Sequence, residues 1–208
     1  VRRVYCVGRN YAEHAREMGC TGREAPFFFL KPADNIVEVA ADGATTIPYP
    51  GLTRDLQHEV ELVVALGKGG SHVPADRAAD LVYGYAVGLD LTRRDLQSEL
   101  KKQGRPWCIA KGFEQSAPTG AVTPRGHAGN IETANIHLRV NGEERQRSNV
   151  SKLIWSIPEI IAHLSIAWEL HPGDLIFTGT PEGVAALQKG DTLRAGVDGL
   201  QEIALAIG

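Results

Sequence analysis

The sequence predicts an α+β fold in which a mixed or antiparallel sheet rolls into a β-sandwich or barrel, with scattered short helices. Three observations point there. Strand-like apolar runs dominate, and they lack the strand–helix alternation of a βαβ chain. The 23 glycines and 11 prolines are spread along the whole length, which favours many short elements joined by turns over a helical bundle. No repeat, low-complexity tract or Ser/Gly/Pro linker divides the 208 residues, so residues 1–208 read as one domain.

Residues 4–7 read as a strand, and residues 11–18 as a short helix with Asn10 as its N-cap. Residues 27–31 form an apolar strand stopped by Pro32. Residues 58–66 begin with strict alternation and become continuously apolar, which describes a strand passing from a half-exposed to a buried setting. A helix over 75–83, a buried strand over 85–91 and a polar helix over 92–102 follow, the last ended by Gly104 and Pro106. Residues 136–140 alternate and run into Asn141-Gly142, the strongest short hairpin signal. Ser156-Ile157-Pro158-Glu159 opens a helix reaching about Trp168, with Ser as N-cap, Pro in the first turn and Glu at N3. Strands over 175–178 and 200–207 close the chain.

Composition narrows the function. The 22 Lys+Arg against 25 Asp+Glu leave no basic excess to neutralise phosphates, so no nucleic-acid partner is expected. No apolar run reaches the ~18 residues of a membrane helix, so no membrane partner is expected either. Val1 to Val7, closed by Gly8-Arg9-Asn10, is too short for a signal-peptide apolar region. Cys6, Cys20 and Cys108 are odd in number and lack C-x-x-C spacing. They read as reduced thiols of a cytoplasmic protein, each a small buried hydrophobe.

The sharpest chemical feature is His58-Glu59-Val60-Glu61. Side chains two apart on a strand share a face, so Glu59 and Glu61 stand together. Two carboxylates ~4 Å apart at an effective dielectric near 20 repel by about 4 kcal/mol. A cation, a proton or free solvent must relieve that. Solvent is the commoner answer for an E-x-E pair. Against it stand the low strand propensity of Glu and the apolar continuation Leu62 to Leu66. Asp90, at the end of the apolar run from Tyr85 to Leu89, is either a helix cap or a third ligand. If Glu59, Glu61 and Asp90 converge, they offer three hard oxygens and no sulfur, which favours Mg²⁺ or Mn²⁺ over Zn²⁺. Open coordination positions would then suit a chelating dioxo compound.

His14 and Glu17 stand three apart on the expected first helix and can touch, as a histidine base oriented by a carboxylate or as a surface ion pair. Lys111, within Trp107 to Phe113, lies in an apolar setting where an unpaired ammonium is costly. Lys31 lies in a similar one, although either lysine can snorkel to solvent. Arg9 and Gln97 are further polar candidates. Thr178-Gly179-Thr180-Pro181-Glu182-Gly183 packs two hydroxyls into a Gly-rich turn that suits a carboxylate. It is no P-loop, because the G-K-[ST] ending is absent.

These motifs stand in a familiar order. Gly8 to Ala12 with His14 and Glu17, Phe29-Leu30-Lys31-Pro32, His58 to Leu62, Gly88 to Thr92 with Gln97, Ala110-Lys111 and Thr178 to Gly183 together resemble the fumarylacetoacetate hydrolase family. The resemblance is to its short acylpyruvate hydrolases and covers nearly the whole chain. It implies a mixed β-sandwich roll, a homodimer and one divalent cation, Mg²⁺ or Mn²⁺, per subunit. Carried over, Glu59, Glu61 and Asp90 bind the metal, and His14 with Glu17 activates water. Arg9, Gln97, Lys111 and Thr180 hold the 2-oxo acid end of a small-molecule substrate, Thr180 being preferred to Thr178. The implied reaction is hydrolysis of a carbon–carbon bond in a 2,4-dioxo acid such as fumarylpyruvate, in aromatic-compound catabolism. The same metal site also serves oxaloacetate decarboxylation or keto–enol tautomerisation. A purely structural metal site ranks lower, since it has no use for His14, Glu17 and Lys111 together.

Overall fold

The computed structural model describes residues 1–13 and 23–208; the expected base pair His14 and Glu17, and Cys20, lie outside the described residues. An eight-stranded sheet carries the order β2 (Phe27–Lys31), β1 (Val4–Gly8), β13 (Leu175–Phe177), β6 (Val60–Leu66), β7 (Val82–Leu89), β9 (Ala117–Thr119), β3 (Ile36–Glu38), with β10 (Thr123–Pro124) also paired to β7. A five-stranded sheet runs β12 (Glu143–Asn149), β11 (Asn135–Val140), β14 (Thr192–Val197), β15 (Ile203–Ile207), β4 (Thr45–Ile47). Strands β5 (Leu56–Gln57) and β8 (Thr92–Arg93) form a small ladder beside them. Pairs β1–β13, β3–β9 and β4–β15 are parallel and the other ladders antiparallel, so the sheets are mixed, as the sequence predicts.

The strand pattern explains the layers. Leu62, Val64, Val87 and Leu89 of the large sheet join Ile136, Leu138, Leu193, Ala195, Ile203 and Leu205 of the smaller one in a single core. The opposite face of the large sheet buries Cys6, Val63, Ala86 and Phe177. Strand β6 is therefore buried on both faces, which is why its sequence is continuously apolar. The half-exposed start expected for residues 58–66 is not found: the strand begins at Val60, and His58, Glu59 and Glu61 are all buried. Its polar alternation comes from a buried site and not from solvent.

Local signals fare well where side chains bond their own backbone. Asn141 and Gly142 adopt φ 51° and 82°, the paired positive angles that a two-residue hairpin turn requires. Ser156 and Glu159 form a reciprocal capping box on the Ile157–Ala167 helix, which ends at Trp168. The helix expected over 75–83 is only Ala75–Ala78 with a 3₁₀ turn, because β-branched Val82 and aromatic Tyr83 enter β7. The polar helix is Arg94–Lys102, Thr92 and Arg93 having been drawn into pairing with β5. Asn10, expected as a cap, is buried, and its amide bonds the Trp155 backbone and the Thr178 carbonyl. Cys6 is buried as expected, whereas Cys108 is exposed, at the start of a short helix, Cys108–Lys111, that the apolar sequence around it does not reveal.

Gly88, in the middle of the large sheet, is covered by the side chains of Val63 and Phe177. A Cβ there would meet Val63 Cγ2 at 2.6 Å and Phe177 Cε1 at 2.7 Å. Gly88→Ala is expected to lower the unfolding free energy by about 1–3 kcal/mol through overpacking. Chemical denaturation of the variant against the parent protein checks this; equal midpoints would contradict the packing described.

Candidate metal and oxo-acid site

Register builds the site. Val60 pairs with Leu89, and the ladder continues one step further, Asp90 N–H donating to the Glu59 carbonyl at 2.9 Å. Glu59 thus lies across from Asp90, and Glu61 across from Gly88. Alternation puts all three carboxylates on the sheet face that carries Val63 and Ala86. Their ligand oxygens lie within 4.8 Å of one another, and all three residues are buried. Asp90 is no helix cap: both its oxygens are engaged by lysines.

Burial makes the neighbours decisive. Lys111, at the end of a short helix (Cys108–Lys111), donates to Glu59 Oε2 at 2.8 Å, Asp90 Oδ2 at 2.7 Å and Thr92 Oγ1 at 2.7 Å. All three ammonium protons are used. Burial alone would lower its pKa, but Asp90 and Glu59 outweigh that and hold it above the usual lysine value. Lys31 closes β2 and stands 2.8 Å from Asp90 Oδ1, while donating to the carbonyls of Leu91 and Lys111. Neither lysine snorkels. Arg94 reaches Glu59 Oε1 and also holds the side-chain carbonyl oxygens of Gln97 and Gln57.

Glu61 is treated differently. It accepts the Gly179 N–H at 2.7 Å, and among the described residues no lysine or arginine stands at ion-pair distance from it. Gly179 has φ 102°, a left-handed conformation that suits glycine, and a Cβ there would come within 2.8 Å of Asn10. Burial, then the charges of Asp90 and Glu59, push the Glu61 carboxyl well above the usual range, against the Gly179 bond. A hard divalent cation answers that imbalance. The donor set is all carboxylate oxygen, convergent and beside open pocket space, so Glu59, Glu61 and Asp90 fit Mg²⁺ or Mn²⁺.

The pocket above the trio is lined by Arg9, Gln97, Lys111 and Thr180 together with the aromatic walls Phe27, Phe29 and Trp107. Phe27 and Phe29 meet Trp107 edge-on at 5.8 and 5.9 Å. Every candidate site residue within the described part is therefore in one place. Thr178 is not, its hydroxyl donating to the Leu62 carbonyl at 2.9 Å. Thr180 Oγ1 accepts from Gln146 Nε2 at 2.9 Å. The Gln146 amide is oriented by the Val60 N–H and the Pro181 carbonyl, so its oxygen also faces His58 Nδ1, which must carry the proton. Burial lowers the His58 pKa, against the Gln146 bond and the Glu59 charge. Sequence reasoning missed Arg94, Gln146 and Trp107. Arg94 alone left a signal, standing one helical turn before Gln97.

Three convergent carboxylates that fit a divalent ion, beside a lysine- and arginine-lined pocket, point to a class: metal-assisted chemistry on small oxo acids. The chain belongs to the fumarylacetoacetate hydrolase family, whose model for the fumarylacetoacetate (FAA) hydrolase C-terminal region matches residues 3–207. Among solved structures, the fumarylpyruvate hydrolase of Pseudomonas aeruginosa in complex with Mn²⁺ and pyruvate shares 53% identity and a TM-score of 0.97, covering 100% of this chain and 89% of that one. The fumarylpyruvate hydrolase of Ralstonia sp is 46% identical over 185 residues, 89% of this chain and 94% of its own. The mitochondrial oxaloacetate tautomerase FAHD1 of Rattus norvegicus is 45% identical over 199 residues, 96% of this chain and 88% of its own.

The Glu61 carboxyl carries a pKa raised above its unfolded value. Its contribution is therefore fully present below the unfolded pKa and is lost as pH rises through the folded one. The metal-free protein should thus lose stability as pH rises from the carboxylate range, and Glu61→Gln should remove that loss. Thermal unfolding in chelator between pH 5 and 8 should show the variant's Tm holding while the parent's falls, by about 2–4 °C per kcal/mol relieved. Parallel curves would refute the assigned cost.

Proposed function

We propose that this protein is a Mg²⁺- or Mn²⁺-dependent hydrolase that cleaves a carbon–carbon bond in a 2,4-dioxo acid, an acylpyruvate such as fumarylpyruvate, to pyruvate and a carboxylic acid. One observation carries the reading: the buried Glu59–Glu61–Asp90 trio opens onto a cationic pocket, in a chain 53% identical to a fumarylpyruvate hydrolase held with Mn²⁺ and pyruvate.

Glu59, Glu61 and Asp90 hold the ion. Bound there, it supplies Lewis acidity for negative charge growing on the 2-oxo oxygen. Lys111, turning one N–H away from its present partners, joins Arg9, Gln97 and Thr180 in gripping the pyruvate end and fixing the distal carbonyl toward water. His14, oriented by Glu17, takes a proton from that water, whose oxygen attacks C4. The C3–C4 bond then breaks, its electron pair passing to the pyruvate enolate beside the Lys111 ammonium. His14 returns its proton to the enolate carbon, so the acid and pyruvate leave with atoms balanced. The aromatic walls Phe27, Phe29 and Trp107 suit an unsaturated acyl chain.

A homodimer, a cytoplasmic setting and a role in aromatic-compound catabolism belong to the same proposal. The free thiols Cys6 and Cys108 agree with a reducing compartment. The match to FAHD1 favours a second reading, oxaloacetate tautomerisation at the same metal, in which no water attacks carbon; decarboxylation is the other such reaction open to the site.

Ultraviolet assays of fumarylpyruvate, other acylpyruvates and oxaloacetate, each with Mn²⁺, Mg²⁺ or chelator, separate the two. Loss of acylpyruvate absorbance that stops in chelator is expected. His14→Ala should lower kcat for acylpyruvates by roughly 10²–10⁴, the usual contribution of a positioned base, with metal content unchanged. Turnover of oxaloacetate alone, or full acylpyruvate activity in His14→Ala, would overturn the hydrolase mechanism.

A further inference from the structure

By formal charge, three cations stand against the three carboxylates, but all three sit on Asp90 and Glu59 and none on Glu61. Lys31 engages Asp90, Lys111 bridges Asp90 and Glu59, and Arg94 holds Glu59. Both Glu59 oxygens lie under a cation, Oε1 beneath Arg94 and Oε2 beneath Lys111. A divalent ion that reaches Glu59 must therefore compete with a positive charge built into the protein, and on binding it leaves the ring with two positive charges in excess.

The three cations are not equally fixed. Lys31 is anchored by the backbone carbonyls of Leu91 and Lys111, and its side chain is 0% exposed. Lys111 is held by Thr92 as well as by two acids and is 4% exposed. The Arg94 side chain is 15% exposed, lines the pocket wall, and among the described residues its guanidinium bonds only the side chains of Glu59, Gln57 and Gln97. It is the cation free to swing without disturbing the backbone. Its planar fork also matches a carboxylate, which an ammonium does not.

We propose that Arg94 is an internal counter-ion that holds the site in reserve: it competes with the divalent cation for Glu59 and, once displaced, clamps a carboxylate of the substrate. Metal and anionic oxo acid then load as a coupled pair. The inference rests on the metal-dependent reading above. It also specifies the substrate class, because a dianion restores the neutrality that a divalent ion upsets. A doubly charged dioxo acid is therefore favoured over a singly charged one. Coupling is reciprocal, so the metal tightens the acid by the same factor as the acid tightens the metal.

The test is calorimetric titration of Mn²⁺ into metal-stripped protein, with and without saturating oxalate, for the parent, Arg94→Gln and Arg94→Lys. In the parent, oxalate should tighten Mn²⁺ by about tenfold or more. Arg94→Gln should bind Mn²⁺ alone about tenfold more tightly than the parent and lose a similar factor of oxalate coupling. Arg94→Lys, which keeps the charge and loses the fork, should bind Mn²⁺ like the parent with reduced coupling, and it decides the matter if the Gln variant does not fold. Mn²⁺ affinity unchanged or weaker in Arg94→Gln, or coupling equal in all three proteins as direct chelation alone requires, overturns the proposal while the metal site stands. A parent protein that binds no Mn²⁺ overturns the metal reading and this inference with it.

Discussion

Mutual repulsion among three buried carboxylates is the constraint around which this molecule is arranged. Glu59, Glu61 and Asp90 hold their oxygens within 4.8 Å of each other, out of water, on one face of a sheet. Such a cluster is stable only if nearby charge offsets it. Lys31 and Lys111 do so for Asp90, and Lys111 with Arg94 for Glu59. Among the described residues, Glu61 is left with one backbone N–H, that of Gly179. The unequal treatment marks the side of the cluster where an external cation has most to offer.

The fold exists, in this respect, to hold that cluster rigid. Two neighbouring antiparallel strands carry the acids in register, and strands are more accurate mounts than loops. Cores on both faces of the large sheet leave β6 no freedom to slip. The smaller sheet reaches the site through Gln146, whose amide ties the β6 backbone to the Thr180 hydroxyl and the Pro181 carbonyl. That single side chain links β12, β6 and the Gly-rich turn, and it fixes the tautomer of His58 as well.

Much of this was legible in the chain itself, for identifiable reasons. The Asn141-Gly142 turn and the Ser156–Glu159 capping box are local side-chain-to-backbone chemistry, so their residues name them. The β-rich α+β class, the acidic trio and the lysine in its apolar run were readable because buried charge contradicts its surroundings. Arg94 escaped because Arg93 and Arg94 look alike in sequence, and only the helix start at Arg94 turns one of them into the pocket. Gln146 escaped because it lies in a strand of exposed charges whose inward position depends on the bulge between Leu138 and Arg139. The short strands β3, β4 and β9 have three residues each, too few for alternation to register.

Anomalous diffraction at the manganese edge, from crystals grown with Mn²⁺ and oxalate, tests the central claim most directly. The expected result is one strong peak about 2.1 Å from an oxygen of each of Glu59, Glu61 and Asp90, the distance a small hard divalent ion takes. Crystals with no peak there, in which Lys111 and Arg94 keep their places on Glu59, would contradict it.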